Sequence, residues 1–218
     1  MLTLKTSMVP TWNNGWSMRG VLFLLSSLVV FRRLNYEVGS IALLLVAMLT
    51  AVGMDMEGIY RKSGAASAIQ IIRDGFEKSP SEFDISDPDL DIHAVTSALK
   101  QYFRKLPTPL ITFDVYEKLI ESWDLTTHPA RLEHMQKSLQ SLPRVHRDVL
   151  EFLMFHLKRV VEREKENLMT SQNVAVVFAP TIMRPESLAR EMSDVQRKNE
   201  AVRFLVENCQ EVFMGLQE

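Results

Sequence analysis

From residue 63 onward, apolar side chains recur every three to four positions, the spacing that places them on one face of an α-helix. The fullest stripe ends before two prolines, at 107 and 109, and consists of Val95, Ala98, Leu99, Tyr102, Phe103 and Leu106. Further stripes begin at Ile69, Tyr116, Leu132, Leu150 and Val202. Only residues 174–178 resemble a buried strand, and no second strand is available to pair with them. The pattern therefore predicts an all-α fold, a helical bundle.

The first 54 residues have a different pattern. Two apolar runs, 21–31 and 41–52, are each shorter than the roughly 20 residues that a membrane-spanning helix needs. Charged side chains between the runs, among them Arg32 and Arg33, make a single fused span costly. We interpret residues 1–54 as a divergent apolar leader and residues 55–218 as one domain. Residues 41–54 are also a candidate replacement for a first core helix, and membrane association through residues 20–54 is a less favoured alternative.

Composition narrows the class of protein further. A chain of 218 residues with 46% hydrophobic content is long enough to bury a core of its own. Its formal net charge of -2 gives no reason to expect nucleic acid as a partner. The single cysteine, Cys209, excludes an internal disulfide framework and fits a reducing compartment. We therefore expect a cytoplasmic protein, with peripheral membrane association as the open alternative.

The segment Gly-Ile-Tyr-Arg-Lys-Ser-Gly, residues 58–64, contains the most informative single residue. Arg61 lies between two glycines and just before a predicted helix start at Ser63, so its backbone is expected to form a loop. A guanidinium is always charged and planar, and its five donors match phosphate oxygens better than a lysine does. Most loop arginines, however, are simply solvated, and Arg61 taken alone fits that interpretation.

Two downstream segments carry further candidate residues. In Lys-Gln-Tyr-Phe-Arg-Lys-Leu-Pro, Lys100 and Arg104 are four apart and lie on the same helical face, where they form either a binding surface or a solvated basic edge. In Asn-Val-Ala-Val-Val-Phe-Ala-Pro-Thr, Asn173 is an amide in an apolar helix, which also fits a core asparagine bonded to nearby backbone. Pro180 is expected mainly to shape the helix end.

No motif indicates that the chain holds a metal or cofactor. The five histidines have no ligand spacing such as HExxH, and no paired cysteines accompany them. The phosphate-binding motif GxxxxGK[ST] and the nucleophile motif GxSxG are both missing from the sequence. We therefore expect neither a metal site nor a cofactor site.

The three segments, in this order and at these spacings, resemble the RhoGAP family, the activators of Rho-type GTPases. The resemblance covers residues 55–218, whereas residues 1–54 do not match the family pattern. It implies a helical bundle whose finger loop precedes the second core helix. It also implies docking on the switch regions of a Rho, Rac or Cdc-type small GTPase in its GTP-bound state. Lys100, Arg104, Asn173 and Pro180 would then contact or border the partner, with Lys100 and Arg104 also bracing the finger loop.

The resemblance assigns a chemical role to Arg61. It would be an arginine finger, supplied in trans, whose guanidinium stabilises charge on the transferred phosphoryl group while the loop backbone helps to hold the partner's glutamine. GTP and Mg²⁺ would belong to the partner, so the chain would be a GTPase activator and not an enzyme with cofactors of its own. Two alternatives stay open: a catalytically weak GTPase-binding module, because the first core helix is replaced, and a membrane-anchored helical adaptor.

Overall fold

The computed structural model describes Val46, Leu49 and residues 53–78, 90–187, 189–214 and 216. All of these residues belong to a compact unit, Glu37–Glu218, and a second unit comprises Met1–Tyr36. In the described ranges the regular structure consists of α-helices, one short 3₁₀ turn and an isolated bridge between Ile111 and Met183. The all-α prediction is confirmed.

Ten α-helices follow one another in the described ranges. They are α1 (Ala66–Lys78), α2 (Ile92–Lys105), α3 (Phe113–Glu121), α4 (His128–Gln140), α5 (Arg144–Glu162), α6 (Glu164–Asn167), α7 (Ser171–Ile182), α8 (Arg190–Ser193), α9 (Val195–Glu207) and α10 (Cys209–Met214). The 3₁₀ turn Ser122–Asp124 follows α3 directly. Pro143 stands immediately before α5, a position where its fixed φ suits the entry to a helix.

Helix α7 lies at the centre of the bundle. It packs against α9, α2 and α5, and its side chains Val174, Phe178 and Ile182 are fully buried. Its residues 174–178 are helical, so the strand that their apolar run resembled does not form. The stripe predicted on α2 is buried as well, from Val95 to Phe103, with Tyr102 half-buried. The apolar positions that recur along these two helices thus form buried surface of the bundle.

Helix α1 begins at Ala66, three residues later than the start predicted at Ser63. Gly64 explains the difference, because a Cβ added there would lie 2.3 Å from the backbone nitrogen of Ala94 in α2. The chain therefore crosses α2 at a distance that only glycine allows. The Gly64 N–H points toward the Ser97 hydroxyl at 3.4 Å. This crossing fixes where the preceding loop meets α2.

The apolar run 41–52 is described only at Val46 and Leu49, which are helical and fully buried. The Leu49 carbonyl accepts a hydrogen bond from the Gly53 N–H at 3.0 Å, so this helical segment leads directly into the loop that follows. Whether residues 41–54 replace a first core helix stays a prediction. The leader before residue 46 lies outside the described residues. None of the helices in the described ranges is long and apolar enough to cross a membrane.

Candidate functional site

The loop from Gly53 to Ala65, called the finger loop below, has an irregular but closely hydrogen-bonded backbone. Gly58 and Tyr60 have positive φ angles of 70° and 67°. The carbonyl of Gly58 accepts hydrogen bonds from the N–H groups of Arg61 at 2.9 Å and Lys62 at 2.8 Å. A left-handed conformation costs a non-glycine residue about 1–2 kcal/mol. The conformation of Tyr60 must therefore be maintained by contacts outside the loop.

Tyr60 has such contacts with three helices. Its side chain is fully buried, and its hydroxyl lies 2.6 Å from Nε2 of His156 in α5. Its ring meets Phe178 of α7 edge to face, with 4.8 Å between the ring centroids. The ammonium of Lys100 in α2 donates a hydrogen bond to the Tyr60 carbonyl oxygen. The residue before Arg61 is thus attached to α2, α5 and α7 at once.

Arg61 itself is exposed to solvent. Its guanidinium makes no hydrogen bond or close ion pair with any residue in the described ranges. The neighbouring Lys62 instead forms an exposed ion pair with Glu57 at 3.0 Å. Two adjacent residues therefore have opposite environments, with Tyr60 buried as an anchor and the Arg61 side chain available to a partner.

Asn167, at the end of α6, supports the other side of the finger loop. Its side-chain amide donates to the carbonyl oxygens of Met54 and Val160, both at 2.8 Å. Its backbone carbonyl accepts a hydrogen bond from the Gly58 N–H at 2.7 Å. Buried amides are tolerated when their hydrogen bonds are satisfied in this way. Asn167 was not among the sequence candidates, because nothing in its neighbourhood distinguishes it from a solvated residue after a charged stretch.

Lys100 and Arg104 differ sharply in environment, although they are one helical turn apart. Lys100 is 8% exposed, and burial together with repulsion from Arg104 lowers the pKa of its ammonium. The solvated-edge interpretation is therefore wrong for Lys100. Arg104 is exposed, and its Nε donates to the Thr181 hydroxyl of α7 at 3.3 Å. Lys100 points into the finger loop, whereas Arg104 lies on the surface where α2 meets α7.

Arg184, which the sequence analysis did not single out, caps the end of α2. Its guanidinium donates to the carbonyl oxygens of Arg104 at 2.9 Å, Leu106 at 2.6 Å and Pro107 at 3.0 Å. A cation at this end also suits the negative end of the helix dipole. Arg184 thereby fixes the last turn of α2, and with it the backbone of Arg104.

Asn173 and Pro180 lie on the outer side of α7. Thr170 caps this helix by accepting from the Asn173 N–H at 3.2 Å, and the Asn173 side chain donates to the Leu168 carbonyl, also at 3.2 Å. Asn173 is half-buried near the helix start and not a core asparagine. Pro180 is exposed in the last turn of the helix, and Val176 between them is 50% exposed. Asn173, Val176 and Pro180 therefore lie along one partly exposed face of the helix, called the α7 face below.

The Tyr60–His156 pair is electrically neutral near pH 7. Burial raises the pKa of the Tyr60 hydroxyl far above its usual range. Burial and the nearby Arg159 lower the pKa of His156 to about 3. The sequence carries no local signal for His156, because its partner Tyr60 is 96 positions away. No group of three metal-ligating side chains occurs in the described part of the chain.

The chain is similar in sequence and in fold to known proteins. The model of the RhoGAP domain matches residues 40–187, and the chain belongs to the RhoGAP domain family. The resemblance seen in the motifs is confirmed. The matched region begins before residue 55, so it includes the apolar run 41–52 and leaves the residues before 40 outside.

Among curated proteins, the chain is similar to N-chimaerin of Rattus norvegicus, with 42% identity over 159 residues that make up 72% of this chain and 48% of that protein. It spans from about a third to just over half of the length of the chimaerin relatives it matches, with coverages between 35% and 55%. Among solved structures, it is similar to human Rho GTPase activating protein 15, with a TM-score of 0.77, 29% identity, and coverage of 85% of this chain and 88% of that one. The BH domain from Graf, the GTPase regulator associated with focal adhesion kinase, gives a TM-score of 0.75 at 30% identity, with 83% of this chain and 96% of that one covered.

Proposed function

We propose that this domain accelerates GTP hydrolysis by a Rho-type small GTPase and that Arg61 is the arginine finger it supplies in trans. The observation that carries the proposal is the contrast at the finger loop. Arg61 is exposed, while Tyr60 beside it is buried and attached to three helices. Because the backbone that carries Arg61 is preorganised, the loop itself loses little freedom when the charged side chain enters a partner's active site, which favours electrostatic catalysis.

The proposed chemistry takes place on the partner. GTP and Mg²⁺ belong to the GTPase, and the Arg61 guanidinium would stabilise negative charge that develops on the transferred phosphoryl group. A finger of this kind is worth about 10³–10⁵ in rate, or roughly 4–7 kcal/mol of activation free energy. The domain would contribute no cofactor and would be released unchanged after each hydrolysis.

Docking is proposed to involve Arg104 and the α7 face. Arg104 and Pro180 are exposed, and the contact of Arg104 with Thr181 places the guanidinium beside the last turn of α7. Val176, 50% exposed, offers apolar surface between Asn173 and Pro180. A mixed apolar and cationic surface of this kind suits an acidic partner surface that also buries apolar side chains. We propose that this surface binds the GTPase in its GTP-bound state.

The test is GTP hydrolysis by a panel of small GTPases of the Rho, Rac and Cdc branches, with and without the chain. Arg61→Ala is expected to remove most of the acceleration, because a finger acts on the transition state more than on the ground state. Arg61→Lys should also be poor, since an ammonium lacks the planar fork of donors. Lys62→Ala is the matched control: it removes a neighbouring cation from an exposed ion pair and should change the rate only slightly.

Binding to the same GTPases loaded with GDP or with a non-hydrolysable GTP analogue completes the test. The wild-type domain and Arg61→Ala should both prefer the analogue-loaded form, with affinities within a few-fold of each other. If the domain binds that form but accelerates no member of the panel, it is a GTPase-binding module instead. If Arg61→Ala accelerates hydrolysis as well as the wild-type domain does, Arg61 is not the arginine finger.

A further inference from the structure

The peptide group between Tyr60 and Arg61 is held at both ends. Its carbonyl oxygen accepts a hydrogen bond from Lys100, and its N–H, which belongs to Arg61, donates to the Gly58 carbonyl at 2.9 Å. This peptide is the last unit of backbone before the Arg61 side chain. Its orientation therefore sets the direction in which that side chain leaves the loop.

The orientation of this peptide depends on the φ angle of Tyr60, which is 67°. An ordinary residue gains free energy by returning to negative φ, and that gain is of the same order as one net buried hydrogen bond. Such a change at Tyr60 would turn the following peptide and redirect Arg61. A single hydrogen bond to the Tyr60 side chain is thus comparable in free energy to the tendency of this residue to return to negative φ, and it adds to the restraints from Lys100 and Gly58.

The side chain of Tyr60 has one hydrogen bond of this kind, between its hydroxyl and Nε2 of His156 at 2.6 Å. Both residues are fully buried, and the Tyr60 ring also packs against Phe178. Ring packing alone tolerates some rotation and sliding, whereas a hydrogen bond fixes the position of the far end of the side chain. The hydroxyl group therefore adds a directional restraint that a phenylalanine at this position would lack.

We propose that Tyr60 and His156 form a positioning pair that holds Arg61 in the direction required for GTP hydrolysis. The pair touches neither substrate nor partner and acts only through the backbone of the finger loop. This inference rests on the proposed role of Arg61. It predicts that the hydroxyl–imidazole contact matters for the rate of hydrolysis in the complex and matters little for formation of the complex.

The experiment is single-turnover GTP hydrolysis by the most responsive GTPase of the panel, measured as a function of domain concentration. It compares the wild-type chain with Tyr60→Phe, His156→Leu and the double variant. The expected result is a saturating rate lowered about tenfold in all three variants, the range of one buried hydrogen bond. The concentration giving half the saturating rate should stay within about threefold, because the docking residues are untouched.

Tyr116→Phe is the matched control. Tyr116 is equally buried, and its hydroxyl donates to Asp194 at 3.0 Å in a different part of the bundle. This variant also loses a buried hydrogen bond and should melt at a lower temperature, but its saturating rate should equal that of the wild type. A rate lowered as much by Tyr116→Phe as by Tyr60→Phe would mean that general stability, and not positioning, controls the rate.

The double variant separates positioning from stability. Replacing both polar partners by apolar groups often restores stability that a single replacement loses. We expect the melting temperature of the double variant to rise above that of His156→Leu while its saturating rate stays low. A rate that recovers together with stability, or a Tyr60→Phe variant with the wild-type rate, overturns the positioning pair. Failure of the underlying function is distinguishable, because then the wild-type chain gives no acceleration or Arg61→Ala loses none.

Discussion

The finger loop and the α7 face are the two regions that the proposed function needs, and they are built in different ways. The finger loop is irregular, with positive φ at Gly58 and Tyr60, and side chains from α2, α5 and α6 maintain its shape. The α7 face belongs to a regular helix whose opposite side forms the centre of the core. Its residues keep their positions mainly through the helix itself, with Asn173 also bonded to Thr170 and Leu168 just before the helix.

Because the two regions are built differently, substitutions in them should affect different steps. A change in the supports of the finger loop alters the position of Arg61 and should lower the rate of hydrolysis within the complex. A change on the α7 face, or at Arg104 beside it, removes a contact and should lower affinity while the rate in the saturated complex is kept.

The largest effect is expected from removing the helical segment that leads into the finger loop. Deletion through Gly53 removes Val46 and Leu49 from the core, at roughly 2–5 kcal/mol for each large side chain lost. This deletion should unfold the domain, whereas deletion of residues 1–40 should be tolerated. Thermal melts of the two truncations make the comparison, and equal melting temperatures would contradict it.

A smaller effect on both rate and stability is expected for Lys100→Met. The substitution keeps the buried stem and removes the ammonium, so that the Tyr60 carbonyl loses its donor at a cost of about 1–3 kcal/mol. We expect a saturating rate of hydrolysis lowered about tenfold or more. Lys198→Met is the control, because Lys198 is also buried and pairs with Glu191 instead of the loop. If Lys100→Met lowers only the affinity for the GTPase and leaves the saturating rate unchanged, Lys100 acts in docking and not in support of the finger loop.

The His156 side chain should make the domain sensitive to acid. Its pKa is about 3 in the folded chain, below its usual value, so the unfolded chain binds a proton that the folded chain does not. The contribution of His156 to the free energy of unfolding is therefore fully present near pH 7. It decreases as the pH falls toward 3, by at most about 1.4 kcal/mol per pH unit. Urea unfolding of wild type and His156→Leu at pH 7, 6 and 5 should show their difference shrinking with acidity. Parallel curves would contradict a neutral buried imidazole.

The smallest effect is expected for Arg104→Ala. Arg104 is exposed, and its loss should weaken binding to the GTP-loaded partner by a few-fold, or about 0.5–1 kcal/mol. The loss should shrink at high salt, because screening reduces attraction between exposed charges. Lys105→Ala, the next cation on the same helix end, is the control for a general charge effect. Affinities at two ionic strengths decide the matter, and a salt-independent loss would indicate a packing role instead.

The sequence alone determined the helical class, the order of the three motifs and the placement of Arg61 on a loop beside Gly58. These features are local: apolar periodicity reports which side of a helix is buried, and Gly58 adopts a positive φ as glycines readily do. The RhoGAP resemblance was likewise visible in short segments, and the family match over residues 40–187 confirms it. The roles predicted for Arg61, Lys100, Arg104, Asn173 and Pro180 toward a partner stay predictions.

The tertiary structure alone decided how Arg61 is supported. A helical spacing of four residues could not show that Lys100 is buried against the finger loop while Arg104 is exposed. The contact of Tyr60 with His156 joins residues 96 positions apart, and the contact of Asn167 with Met54 joins residues 113 positions apart. Such contacts arise when segments distant in sequence pack together. The residues next to one member of a pair therefore do not indicate the other member. Local pattern thus placed the arginine on a loop, and packing between distant helices holds the backbone that carries it.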